Sequence, residues 1–72
     1  MPTKETLQEN RALEFEALAV EAQAISIEVQ GMRFENEQRI ILGQGMAYCE
    51  DVFLNKAYEL RAIARKLRDL GK

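Results

Sequence analysis

The stretch LEFEALAVEAQAISIEVQGMRFE, residues 13–35, carries two apolar stripes that repeat every seven residues. The first stripe alternates large and small residues and consists of Leu13, Ala17, Val20, Ala24, Ile27, Gly31 and Phe34. The second stripe consists of Phe15, Leu18, Ala22, Ile25, Val29 and Met32. A strict seven-residue repeat predicts a helix that supercoils with other helices. Two stripes on one helix predict that the helix is covered from two sides.

A column of glutamates, Glu14, Glu21, Glu28 and Glu35, has the same period. Successive members are about 10.5 Å apart along a helix, which is too far for one metal ion to bind two of them. Carboxylate-bridged metal sites in helical bundles also use histidine, and the chain contains none. The column lies between the two stripes, where charged residues select the partner of a helix. We therefore interpret it as structural, and no metal site is predicted.

The helix boundaries follow from capping and turn residues. Thr6 and Glu9 match a capping box, with Thr3 as a rival N-cap. Gly43-Gln44-Gly45 is the only convincing turn, because Gly43 suits the left-handed residue that ends a helix. The chain is therefore predicted to be one helical domain over residues 1–72, with helix 1 at about 6–42, a turn at 43–45 and helix 2 at about 46–70.

Gly31 leaves one alternative open within helix 1. A glycine inside a helix costs about 1 kcal/mol relative to alanine, so a kink there would give three helices. We favour a continuous helix because Gly31 continues the positions of Ala17 and Ala24 in the repeat. Small residues at these positions would let another helix approach closely.

Helix 2 has one apolar stripe, formed by Met46, Cys49, Phe53, Leu60, Ile63, Leu67 and Leu70. Lys56 interrupts it, and we expect the lysine stem to lie along apolar surface while the ammonium reaches water. Cys49 is predicted to be a buried, inert thiol, since no histidine is present to act as its base. No alternating strand pattern occurs, so the fold class is all-α.

The helix lengths predict an antiparallel hairpin with an overhang. Helix 1 would span roughly 55 Å and helix 2 roughly 37 Å, so Leu7, Leu13 and Phe15 would project beyond helix 2. A chain of 72 residues with one cysteine cannot add disulfide staples. We expect a homodimer that forms a four-helix bundle. Either stripe could face helix 2, so the predicted oligomer interface is drawn from both. It consists of Leu13, Phe15, Leu18, Val20, Ile25, Ile27, Met32 and Phe34.

Charge is segregated along the chain. Residues 1–42 carry eight acids and four bases, and residues 43–72 carry four acids and six bases. Folding back would bring Arg65, Arg68 and Lys72 alongside Glu14, Glu16 and Glu21. Tyrosine and arginine are enriched at interface hot spots. A possible partner surface is therefore predicted at Tyr48, Leu54, Tyr58, Arg61 and Arg65. The alternative is that these residues pack against the second protomer within the bundle.

Several function classes are disfavoured. The N-terminus has no signal-peptide pattern and the longest apolar runs are four residues, so a cytoplasmic protein that does not span a membrane is expected. The turn lacks the Gly-Lys-Ser/Thr of a phosphate loop. No catalytic or cofactor-binding residues are predicted. The sequence favours a non-enzymatic protein–protein interaction module, such as an adaptor, inhibitor, chaperone or regulator. The alternative is a nucleic-acid-binding dimer that uses the basic face of helix 2, against a net charge of −2.

Overall fold

A computed structural model describes residues 4–71, apart from the side chains of Glu5 and Thr6. Over this range the chain forms two helices and no strand: α1 is Lys4–Ile41 and α2 is Glu50–Leu70. The helices pack against each other as an antiparallel hairpin, in which Lys56 of α2 contacts Glu28 of α1 and Tyr48, just before α2, contacts Asn36. The molecule measures 61 × 16 × 15 Å, the shape of a thin rod in which α1 extends past α2.

The first helix is continuous. It passes through Gly31 without interruption, so the chain has two helices rather than three. The helix is already formed at Lys4, and the predicted start at Thr6 is therefore too late. The rival cap, Thr3, lies outside the described residues.

Gly43 ends α1 as expected from its lack of a side chain. Its φ of +75° lies in the left-handed region. The Gly43 N–H donates to the Ile40 carbonyl at 3.0 Å, and the Gln44 N–H donates to the Arg39 carbonyl at 2.7 Å. These two bonds are the Schellman arrangement, which satisfies carbonyls that the helix end would leave without donors.

The second helix begins four residues later than predicted. Cys49 is its N-cap, with extended backbone at φ −89° and ψ 172°, and Glu50 and Asp51 occupy the first turn. Carboxylates in that turn are favoured by the positive end of the helix dipole. The connection therefore spans 42–49 and is much longer than the predicted turn at 43–45.

The second stripe faces α2. Leu18 and Ile25 are 5% and 8% exposed and form a cluster with Ile63 of α2, which is 4% exposed. Residues of both helices pack around this cluster, namely Ala22, Val29, Leu60, Leu67 and Leu70. Met32 is also buried. Within the described residues no large side chain is completely buried, so the hairpin has a thin core.

Two residues predicted on the helix 2 stripe lie elsewhere. Met46 is 64% exposed and Cys49 is also exposed, so the prediction of a buried thiol was wrong. The reason is the late start of α2. Both residues belong to the connection and its cap, where the helical spacing that aligned them with Phe53 does not apply.

Candidate interaction surfaces

The first stripe is exposed along the whole of α1. Leu13 and Val20 are each 64% exposed, Ile27 is 61% exposed and Phe34 is 62% exposed. Ile41 continues the same seven-residue spacing and is 76% exposed. It was missed in the sequence, although its distance from Phe34 was the available signal. An apolar row of this length is unusual on a monomer, where large apolar side chains are normally scattered singly.

This exposed row lies on the side of α1 opposite α2. Ile27 is two residues from the buried Ile25 and two from Val29, which packs on the core. Two residues correspond to about 200° around a helix. A Cβ atom added at Gly31 of the first stripe would have no neighbouring atom within 4 Å. The small positions therefore lie open in this hairpin, with no neighbouring helix against them.

Glutamates border the first stripe on both edges. One edge is the column that separates the two stripes, Glu14, Glu21, Glu28 and Glu35, and the other carries Glu9, Glu16 and Glu37; all seven are exposed. Each of these residues is three or four positions from a residue of the first stripe, which places it beside the stripe on the helix surface. The open face of α1 is thus an apolar row between acidic borders.

One member of the glutamate column joins the two helices. The Lys56 Nζ atom lies 2.9 Å from Glu28 Oε1 and 3.6 Å from Glu59 Oε2. The hydrogen bond that the Lys56 ammonium donates to Glu28 raises the pKa of the ammonium above its ordinary value of 10.5, although partial burial acts in the opposite direction. The lysine side chain is 20% exposed, so the ammonium contacts carboxylates rather than only water. Glu35 instead pairs with Arg39 of its own helix, at 3.1 Å.

Asn36 fixes the connection against α1. Its side chain is 8% exposed. Nδ2 donates to the Tyr48 carbonyl at 2.9 Å, and the Tyr48 N–H donates to Oδ1 at 3.0 Å. The sequence analysis missed this residue. The available signal was its position four residues after Met32, where a polar side chain continues the second stripe.

The partner surface predicted on helix 2 divides into two parts. Leu54, Tyr58, Arg61 and Arg65 are all exposed on α2, with Leu54 at 46% and Tyr58 at 60%. The Arg61 Cζ atom lies 5.7 Å from the centroid of the Tyr58 ring, within the range of a cation–π contact. Tyr48 is not part of this surface, since it lies half-buried in the connection. We call Leu54, Tyr58, Arg61, Arg65 and Arg68 the arginine face.

The arginine face points away from α1. Arg65 is two residues from the buried Ile63 and two from Leu67, which places it about 200° from both. The ion pairs between described residues are those of Lys56 and Arg39, and neither Arg65 nor Arg68 takes part in them. The predicted pairing of these arginines with Glu14, Glu16 and Glu21 is therefore not formed within residues 4–71. The third predicted base, Lys72, lies outside that range.

Two further properties of the described surface are its potential metal ligands and its depressions. In the part of the chain that the structure describes, no group of three or more cysteine, aspartate or glutamate side chains is placed to hold a metal ion. The depressions beside Leu13 and beside Phe34 are each lined by α1 alone, so they are shallow grooves along one helix. Neither α1 nor α2, over its described length, has a stretch long and apolar enough to cross a bilayer.

Comparison with protein-family models, with curated proteins and with solved structures found no match for this chain. Two surfaces stand out on opposite sides of the hairpin, namely the acid-bordered first stripe of α1 and the arginine face of α2.

Proposed function

We propose that this protein is a non-enzymatic protein–protein interaction module that works through the first stripe of α1, and that its first partner is a second copy of itself. The observation that carries the proposal is the row of large apolar side chains, each 61–76% exposed, on the side of α1 away from α2. The row contains five such side chains, and contiguous apolar patches larger than a few hundred Å² are rare on monomers.

The thinness of the hairpin supports this proposal. Only four apolar side chains are buried among the described residues, namely Leu18, Ile25, Met32 and Ile63. A domain of this size has a small margin of stability, and oligomerisation is one of the usual ways to increase it. Covering the first stripe would add a second apolar layer about as long as the first one.

The two-copy unit in this proposal contains four helices, as the repeat pattern predicts. The first stripe lies opposite the second, so α1 becomes the inner layer between its own α2 and a helix of the other copy. In a bundle with its helices at the corners of a square, each helix would instead need two apolar faces about 90° apart. A layered arrangement of the four helices therefore fits the positions of Ile25 and Ile27 better.

Two isoleucines two residues apart test the proposal. Ile25→Asp places a carboxylate in the hairpin core, where burial of an unpaired charge costs several kcal/mol, and we expect it to unfold the hairpin. Ile27→Asp places the same carboxylate on the exposed stripe, and we expect normal helicity with loss of self-association. Circular dichroism measures the first property and sedimentation equilibrium the second. A reductant is needed throughout, because Cys49 is exposed and could form a disulfide between copies.

Self-association through the first stripe is refuted if the wild-type protein is a folded monomer at all concentrations up to about 100 μM. It also fails if Ile27→Asp associates as tightly as the wild type. An Ala19→Asp variant, exposed on α1 but outside both stripes, serves as the matched control and should leave both helicity and association unchanged.

A second candidate function is nucleic-acid binding by the arginine face. The observation that favours it is the exposure of Arg61, Arg65 and Arg68 without an ion-pair partner among the described residues. Binding of this kind would weaken steeply with salt, because it releases counterions from phosphates. Replacement of all three arginines by alanine should abolish it. Undetectable binding to a mixed-sequence duplex and to single strands in 50 mM salt would dispose of this candidate.

A further inference from the structure

The acidic borders of the first stripe decide which surface of a second copy can cover it. If α1 packed against α1 of another copy, the glutamate column of one helix would face glutamates of the other or, in a parallel pair, also Gln23 and Gln30. This holds for parallel and antiparallel pairs, because each border of the stripe carries carboxylates or amides and neither carries a base. Like charges in direct opposition destabilise a helix pair. A second α1 is therefore a poor occupant.

We propose instead that the arginine face of a second copy docks on the first stripe, an inference that rests on the self-association proposed above. The arginine face has the complementary composition. Leu54 and Tyr58 supply apolar surface, and Arg61, Arg65 and Arg68 supply positive charge. Tyrosine and arginine are also the residue types most enriched where proteins bind one another tightly.

The spacing of the charges supports this pairing. Arg61 and Arg68 are seven residues apart, about 10.5 Å along the axis, and successive glutamates of the column have the same separation. A copy stacked in the same orientation presents its α2 antiparallel to α1, as in the hairpin itself. In that register, which aligns residues as the Glu28–Lys56 pair does, Tyr58 lies near Ile27, Leu54 lies near the open space at Gly31, and Arg65 lies near Glu21.

The two surfaces point in opposite directions, and this determines the kind of assembly. The first stripe faces away from α2, and the arginine face faces away from α1. Two rigid copies cannot satisfy both contacts at once, so a contact of this type is head-to-tail and leaves one surface open at each end. The assembly therefore continues beyond two copies as concentration rises, whereas a two-fold dimer would stop at two.

Complementation between two variants tests the inference. Ile27→Asp damages only the first stripe, and Arg61→Glu/Arg65→Glu damages only the arginine face. Each variant alone should be a helical monomer in sedimentation velocity. An equimolar mixture should form a 1:1 heterodimer and nothing larger, because one intact surface of each kind remains. The wild type should continue to larger species, and its association should weaken at least tenfold between 50 and 500 mM salt.

A charge-matched pair of variants provides the control. Arg65→Glu should weaken wild-type association at least fivefold, whereas Lys66→Glu, the adjacent base outside the arginine face, should leave it unchanged. If Arg61→Glu/Arg65→Glu associates as tightly as the wild type, the occupant is not the arginine face and this inference is overturned, although self-association through α1 would stand. If the wild type itself is monomeric, the proposed self-association and this inference fail together.

Discussion

Asn36 is the residue whose removal best tests the structure of the hairpin. Its amide makes two hydrogen bonds with the Tyr48 backbone, at 2.9 and 3.0 Å. A hydrogen bond of this kind contributes about 0.5–1.5 kcal/mol, and its loss also leaves partly buried backbone groups unsatisfied. We therefore expect the loss of the two hydrogen bonds in Asn36→Ala to lower the free energy of unfolding by about 2–3 kcal/mol. Alanine returns up to about 0.7 kcal/mol through its better helix propensity.

The expected net loss of about 1.3–2.3 kcal/mol is large for this chain. A single core in a chain of 72 residues rarely supplies more than about 3–5 kcal/mol of stability. The midpoint of thermal unfolding should fall by roughly 5–18 °C. The measurement is urea unfolding followed by circular dichroism, made in an Ile27→Asp background so that association does not contribute to stability.

Asn55→Ala is the matched control, because Asn55 is exposed on α2. It measures the helix-propensity gain without the loss of hydrogen bonds, and it should be neutral or slightly stabilising. The difference between the two variants isolates the contribution of the Asn36–Tyr48 contact. An Asn36→Ala variant within 0.5 kcal/mol of Asn55→Ala would show that the amide does not hold the connection, and the late start of α2 would then need another cause.

Three further changes have defined outcomes. Gly43→Ala should cost about 1 kcal/mol in urea unfolding, because an alanine at a φ of +75° is strained; an unchanged midpoint would contradict the left-handed helix end. Gly31→Ala in the Ile27→Asp background should instead add about 1 kcal/mol, since nothing lies within 4 Å of the added methyl group, and a loss of stability would mean that the site is not open. Glu28→Gln tests the ion pair between Glu28 and Lys56. Because folding raises the pKa of the Lys56 ammonium, the ion pair stabilises the fold fully below pH 10.5, and this stabilisation is lost as pH rises through the folded-state pKa. The wild type should therefore be more stable than Glu28→Gln at pH 9, and the two unfolding curves should converge above the folded-state pKa.

The seven-residue repeat was sufficient to predict a hairpin of two helices, which the structure confirms at the level of an all-helical chain with α1 packed on α2. The repeat could not assign the stripes to their neighbours. Ile25 and Ile27 are the same residue type with the same spacing to their own stripes, yet one is buried and the other is exposed. The distinguishing residue is Asn36, which holds the connection against the second stripe.

The start of α2 could not be predicted from helix-forming character alone. Met46, Ala47 and Tyr48 are compatible with a helix, and no strong N-cap residue stands before Glu50. In the structure the backbone of Tyr48 bonds to the Asn36 side chain, which lies twelve residues away in sequence. A contact across that separation has no local signature. The acidic pair Glu50 and Asp51 was the signal present, since carboxylates favour a first helical turn.

The predicted pairing of arginines with glutamates failed for a geometric reason that bears on the proposed assembly. Folding the chain back aligns opposite charges along the rod, but alignment along the axis does not bring side chains together when they lie on opposite faces. Lys56 reaches Glu28 because it lies on the face of α2 that meets α1. Arg65 lies about 200° from that face. Charge that is segregated along a sequence and left unpaired within the hairpin can be neutralised by another copy. Complementary charge between the arginines of α2 and the glutamates of α1 is therefore expected at the contact between two copies rather than within one chain.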